Sequence, residues 1–152
     1  MAAEYLANAV QTTDLNQPII FTASIPCNKG YVIHEDETGI FILRGIVNNS
    51  CARFATYQVT FNGNIAIPTG GTAGAIAVGI SVNGELRPTS RAIVTPAAVE
   101  EYNNVTSTCI IKVPRGCCFS VSVRSVSGVA VGETPEPTIE VQNANLVINR
   151  IA

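Results

Sequence analysis

Hydrophobic and polar positions alternate with a period of two along much of the chain. Phe119, Val121 and Val123 fall on one side, and Ser120, Ser122 and Arg124 on the other, the pattern of a strand with one wet face. Tyr57, Val59 and Phe61 share a face, as do Ile76, Val78 and Ile80, which predicts two further core strands. In the last segment Ile139 and Val141 set one phase and Ala144, Leu146 and Ile148 the opposite one. The count therefore slips near Asn143, where a bulge would absorb the extra residue. Turn signals punctuate these segments at Asn28-Lys29-Gly30, Thr38-Gly39, Asn48-Asn49-Ser50, Asn62-Gly63, Pro68-Thr69-Gly70-Gly71, Asn83-Gly84, Pro114-Arg115-Gly116, Ser127-Gly128 and Pro135-Glu136-Pro137. That cadence leaves room for strands and little else, and the segments are rich in Ile, Val, Thr, Phe and Tyr, which suit a pleated, half-buried surface. The prediction is an all-β, single-domain sandwich or barrel of eight to nine antiparallel strands. One short helix is predicted over residues 95–102, with Thr95 as cap and Pro96 at its first position.

Composition adds a constraint on the outside of the molecule. The chain has 152 residues, of which nine are Lys or Arg and eleven Asp or Glu. Its 13% charged content is about half the usual ~25% of soluble domains. The 47% hydrophobic content excludes a disordered chain, and a chain of this length buries enough surface for its own core. A formal net charge of −2 provides no basic field, so nucleic acid is not an expected partner. Residues 54–84 carry no charge, but Gln58, Asn62, Asn64, Pro68 and several glycines interrupt them. They fall short of the ~20 apolar residues of a spanning helix, and no membrane partner is expected. The start of the chain holds Glu4 and Asp14 with no Lys or Arg up to Gln17, so no secretory leader is expected.

A domain so short of charge is expected to have part of its surface covered by further copies of itself. The uncharged span places that surface inside an oligomer, with Tyr57, Phe61, Ile65, Ile67 and Ile110 as the interface. Residues 1–16, with Tyr5 and Leu6, are expected to form an N-terminal docking arm ahead of a domain over 17–152. Glu35, Asp36 and Glu37, and the loop around Glu133 and Glu136, are expected to face water.

Candidate chemistry is sparse. Cysteines stand at 27, 51, 109, 117 and 118 without a C-x-x-C pair, and zinc needs four suitably spaced ligands, so no metal or cofactor is expected. Buried free thiols are the default; the alternative is a cross-link between subunits through Cys117 or Cys118. His34 precedes Glu35, Asp36 and Glu37 in what reads as a solvated acidic turn, without the glycine and spacing of a calcium loop. The segment from Pro68 to Gly74 lacks the Lys and Ser or Thr of a phosphate-binding loop and reads as a wide turn. Asn48 and Asn104 begin glycosylation acceptor patterns that count as chance occurrences without a leader. Tyr57, Phe61, Tyr102 and Phe119 are expected in core or intersubunit packing. Arginines, Arg44, Arg53, Arg115 and Arg124 among them, outnumber Lys29 and Lys112; they suit interface ion pairs or are simply scattered on the surface. No motif sits in a context that fits catalysis, so the expected protein is not an enzyme.

The order of motifs carries a resemblance. From Gly39-Ile40-Phe41-Ile42-Leu43 through Tyr57-Gln58-Val59-Thr60-Phe61, Ala77-Val78-Gly79-Ile80-Ser81-Val82-Asn83-Gly84, Val113-Pro114-Arg115-Gly116 and Ala144-Asn145-Leu146-Val147-Ile148, the chain resembles the jelly-roll domains of the tumour necrosis factor and complement globular-head superfamily. It also resembles the C-terminal heads of collagen-like spore-surface proteins, although it has no Gly-x-y stalk. Pro26-Cys27-Asn28-Lys29-Gly30-Tyr31, Asn64-Ile65-Ala66-Ile67-Pro68-Thr69-Gly70-Gly71, Ile93-Val94-Thr95-Pro96-Ala97-Ala98-Val99-Glu100 and Pro114-Arg115-Gly116-Cys117-Cys118 are similar to short proteins of anaerobic gut bacteria and their phages. The resemblance implies a TNF-like jelly roll, a three-fold homotrimer, and a structural or binding role. The expectation is a virion protein made without a signal peptide, a capsid decoration or cementing protein or a short head fibre, partnered by itself and by the major capsid protein. The alternatives are a head that binds a host glycan or protein, and a bacterial spore or cell-surface protein.

Overall fold

The computed structural model describes residues 2–26, 30–49 and 51–152. Cys27, the Asn28-Lys29 turn signal and Ser50 lie outside the described residues. The chain folds into two antiparallel sheets packed face to face, as the alternation predicts. Sheet I has the order β10 (Asn103–Pro114), β6 (Phe54–Ala66), β12 (Thr138–Arg150), β1 (Ala2–Ala7) and β3 (Ala23–Ile25), with β2 (Gln11–Asp14) also paired to β12. Sheet II has the order β4 (Val32–His34), β5 (Phe41–Arg44), β11 (Cys118–Ser127), β7 (Ile76–Val82) and β8 (Glu85–Leu86), with β9 (Ala92–Val94) also on β7. The described strands number twelve, in part because two strand positions are each filled by two separate pieces. β1 and β2 serve successive halves of β12, and β8 and β9 successive stretches of β7. Alternation within long strands cannot reveal how short pieces divide.

The core lies between the sheets. Tyr57, Val59, Phe61 and Ile65 of β6 meet there with Val78 and Ile80 of β7, Val121 and Val123 of β11, and Leu146 and Ile148 of β12. The phase slip in β12 is a bulge between Gln142 and Asn145, with Asn143 at φ 53°, a left-handed conformation that Asn tolerates better than most residues. Opposite it, Gly63 is required by packing: a Cβ there would stand 2.8 Å from Phe61 Cζ.

β7 is buried on both faces, since the stretch between β8 and β9 folds over it. Leu86 Cδ1 occupies the space where a Cβ on Gly79 would lie, 2.4 Å away. The ladder is broken at Ile80, and a side chain bridges the break: Ser90 Oγ accepts from Ile80 N at 2.9 Å and lies 3.2 Å from Ile80 O. Ser107 of β10 donates its hydroxyl to Ser90 O, which ties the edge of sheet II to sheet I.

Three expectations are corrected. Residues 1–16 are not an arm ahead of the domain, because β1 pairs with β12 and β3 in the middle of sheet I. Tyr5 is 3% exposed, with its ring 4.5 Å from Phe41 and 4.9 Å from His34. Leu6 is half-buried in the same strand, and its carbonyl accepts from Thr22 N at 3.0 Å. Tyr57, Phe61, Ile65 and Ile67 cannot touch a neighbouring subunit, being wholly enclosed in their own. Residues 95–102 form no helix. Glu100 sits at φ 60°, its N–H donates to Ile67 O at 2.8 Å, and its carboxylate accepts from Thr69 N at 3.1 Å and Thr69 Oγ1 at 2.7 Å. Such bonds easily outcompete a helix of one or two turns, which has little stability of its own. The helical turn that the described residues do contain is the 3-10 turn Pro88–Ser90.

Candidate functional site

Period-two alternation that sends apolar side chains into the core sends the other set to the outer face of sheet I, and that set is distinctive. Asn104, Thr106, Thr108, Ile110 and Lys112 of β10 stand beside Asn64, Asn62, Thr60, Gln58 and Thr56 of β6. On the other flank Gln142, Asn145, Val147 and Asn149 of β12 stand beside Asn64, Asn62, Thr60 and Gln58. Beyond them, Glu4 and Leu6 of β1 pair with Val147 and Asn145. Thr60 Oγ1 and Thr108 Oγ1 are 3.0 Å apart. Asn104 Nδ2 donates to Asn62 Oδ1 at 2.8 Å and to Asn64 Oδ1 at 3.2 Å, and Thr106 Oγ1 donates to Asn62 Oδ1 at 3.1 Å. Asn145 Nδ2 donates to Glu4 Oε1. The centre of the face is thus a network of neutral amides and hydroxyls with apolar side chains beside it, and among the described residues charge comes only from its margins, at Lys112, Glu4, Glu140 and Asp14. Cross-strand partners hold the central groups in place, so those side chains have little freedom left to lose when a second surface covers them.

Of the five interface residues expected from sequence, this face includes Ile110 alone, 47% exposed. The surface that sequence reasoning missed lies in the same strands. Thr56, Gln58, Thr60, Asn62 and Asn64 alternate with the core residues of β6, an unbroken run of uncharged polar groups where a wet strand ordinarily carries Lys or Glu. Asn104, one of the glycosylation acceptors, is a member of this network, and the other, Asn48, is exposed on the loop after β5.

The remaining candidates are spread apart. Cys51, Cys117 and Cys118 are exposed and Cys109 is half-buried, all four free, so the expectation of buried thiols is corrected for three of them. Cys117 occupies the turn ahead of β11, with its N–H bonded to Pro114 O, and not a core position. Burial raises the pKa of Cys109, while the Arg87 charge lowers it in part. His34 is not a solvated turn residue. It stacks on Phe41 with centroids 4.3 Å apart, and Nε2 lies 2.9 Å from Thr38 O. The neighbouring Glu35, Asp36 and Glu37 are exposed as expected. Among the described residues no group of three His, Cys, Asp or Glu is placed to hold a metal. The glycine-rich segment is a turn, with Gly70 at φ 92° and Gly71 N donating to Pro68 O at 3.0 Å. Glu100 braces it on one side, and Glu136, whose Oε2 accepts from Thr72 N at 3.3 Å, on the other. Tyr102 donates to Glu140 Oε2 at 2.6 Å; burial first, and the Glu140 carboxylate next, push its pKa up to about 12.

No protein-family model matches the chain, and no curated protein matches it. Solved structures do. The globular domain of the zebrafish complement 1qA protein superposes over 99% of this chain and 97% of its own, with a TM-score of 0.61 at 13% identity. Eiger TNF from S. frugiperda superposes over 100% of this chain and 92% of its own, with a TM-score of 0.63 at 11% identity. The fold is a TNF-like jelly roll. Sequence identity this low speaks to architecture alone, and the jelly roll hosts unrelated functions.

Proposed function

We propose that the protein is a non-enzymatic structural head that works by self-association, three copies closing around a three-fold axis through the outer face of sheet I. The observation that carries this reading is the neutral network centred on Thr60, Asn62, Asn104 and Thr108, a surface with charge only at its margins in a chain already short of charge. Covering an uncharged face avoids the heavy penalty of desolvating ions, and the amides and hydroxyls at its centre, Thr60, Asn62, Asn104, Thr106 and Thr108, already have partners and are not stranded when covered. An obligate contact of this kind buries ~2,000 Å² or more, and closed rotational symmetry prevents runaway polymerisation. The sequence resemblance to superfamily jelly rolls and to phage-encoded proteins extends the reading to a virion: a capsid decoration or cementing protein, or a short head fibre, seated on the major capsid protein.

Size-exclusion chromatography with light scattering tests the assembly. The expected particle has three times the 16.0 kDa mass of one chain, and a stable monomer at micromolar concentration overturns it. Mass spectrometry of purified phage particles tests the location separately. Stoichiometric presence beside the major capsid protein is expected, and absence from the particles overturns the virion reading while leaving the trimer intact.

A further inference from the structure

The outer face of sheet II has a feature of different character. A hollow of about 310 Å³ opens beside β7 and β11, lined by Arg91 and Arg124 together with Asn16, Ser81, Leu86 and Val126. Arg124 is anchored at two points: Nε donates to Ser122 Oγ and Nη1 to Asn16 O, each at 2.8 Å. Asn16 itself is held at φ 66°, with its N–H donating to Ser125 O at 2.7 Å. Arg91 Nη1 donates to Ser127 O at 3.2 Å. Every acceptor is a neutral carbonyl or hydroxyl, and among the described residues no carboxylate pairs with either guanidinium. Nη2 of both arginines, and Nε of Arg91, have no protein partner among them.

A chain with nine cationic side chains has placed two of them at one hollow with no counter-charge. An anion seated in the hollow would be attracted by both charges, and neutral acceptors orient the forks without quenching their charge. Planar guanidinium forks match the paired oxygens of a carboxylate, sulfate or phosphate. Leu86 and Val126 supply an apolar wall beside the charged one. The volume lies at the lower end of small-ligand sites, ~300–1,000 Å³, which limits the ligand to a body about the size of one sugar. We propose that this hollow binds a small organic oxyanion, with Arg91 and Arg124 gripping the anionic group and the apolar wall meeting the rest of the ligand. The site lies on the opposite face of the sandwich from the proposed assembly surface and does not depend on the oligomer.

The test is calorimetric titration of the intact protein at low salt with sodium glucuronate, glucose 6-sulfate and neutral glucose. Saturable binding of at least one of the two anions is expected, tenfold or more tighter than glucose, and weaker as salt is added. Arg91→Gln is the informative variant, because Arg91 is exposed and makes a single hydrogen bond; circular dichroism checks that the fold is retained. It is expected to weaken anion binding by roughly tenfold, the scale of one charge-assisted contact. The proposal is overturned if neither anion binds saturably, if glucose binds as well as the anions, or if R91Q binds them as the parent does.

Discussion

At the residue scale the molecule is governed by where single polar atoms find partners. Tyr57 is the largest fully buried side chain, and its hydroxyl donates to Arg44 O at 2.6 Å while lying 3.1 Å from Tyr31 O. Tyr57→Phe keeps the ring and removes the donor, so a loss of about 1–2 kcal/mol is expected, read from urea unfolding. Tyr102 gives a pH signature. Its folded pKa of about 12 stands above the ordinary value near 10, so the folded state holds this proton where the unfolded state has released it. The stability it contributes is full below pH ~10 and lost as pH rises towards ~12. Glu140→Gln removes one of the causes, so the tyrosinate absorbance of Tyr102 is expected to appear at lower pH; an unmoved titration would refute the role of Glu140. The thiols separate in the same way. Cys51, Cys117 and Cys118 are expected to alkylate rapidly in the native protein and Cys109 only slowly, since burial both shields it and raises its pKa; mass spectrometry of timed reactions distinguishes them.

At the element scale, strands were legible from sequence where they are long and half-buried, and illegible where they are short or carry only weak apolar markers. The phases of β6, β11 and β12 follow directly from alternation, and even the bulge at Asn143 shows as a slip in it. Asn143→Val is expected to cost ~1–2 kcal/mol, the penalty of a left-handed backbone for a side chain with a branched Cβ, whereas Asn143→Gly is expected to be near neutral; urea midpoints decide. β1 escaped notice because Ala3 and Ala7 are weak markers of a buried face, and their role emerges only from pairing with β12 far along the chain. The stretch after β7 was equally opaque. Its order rests on Ser90 replacing a missing ladder contact at Ile80, a tertiary event with no local signature. Ser90→Ala leaves the Ile80 amide buried without its acceptor, so a loss of ~1–3 kcal/mol is expected. Faster hydrogen exchange should be confined first to β8 and β9, and a uniform acceleration across both sheets would count against this account.

At the scale of the whole molecule, the deficit of charge has two separate causes that composition could not distinguish. The uncharged run 54–84 includes β6 and β7, and much of it is uncharged because it is core: Tyr57, Phe61, Ile65 and Ile67 are enclosed within one subunit. The remainder, on the outward side of β6, is surface that ordinary monomers decorate with Lys and Glu, and that second cause points to association. Arg91 and Arg124 were equally hidden in composition, as two cations among nine, until folding brought residues from different strands to one hollow. Association through this face has a consequence that core packing does not. Thr60→Lys places a charge at the centre of the outer face of sheet I, where the monomer has room for it, so circular dichroism is expected to be unchanged. In a trimer closed through this face the same substitution buries three ammonium groups without partners, a penalty of several kcal/mol for each ion, and light scattering should report monomers. Ile33→Lys serves as the control, since Ile33 is 51% exposed on β4 of the other sheet and its replacement should leave the mass of the particle unchanged. If T60K retains the parent mass, the three-fold contact lies elsewhere on the sandwich, and the neutral network has to be explained without it.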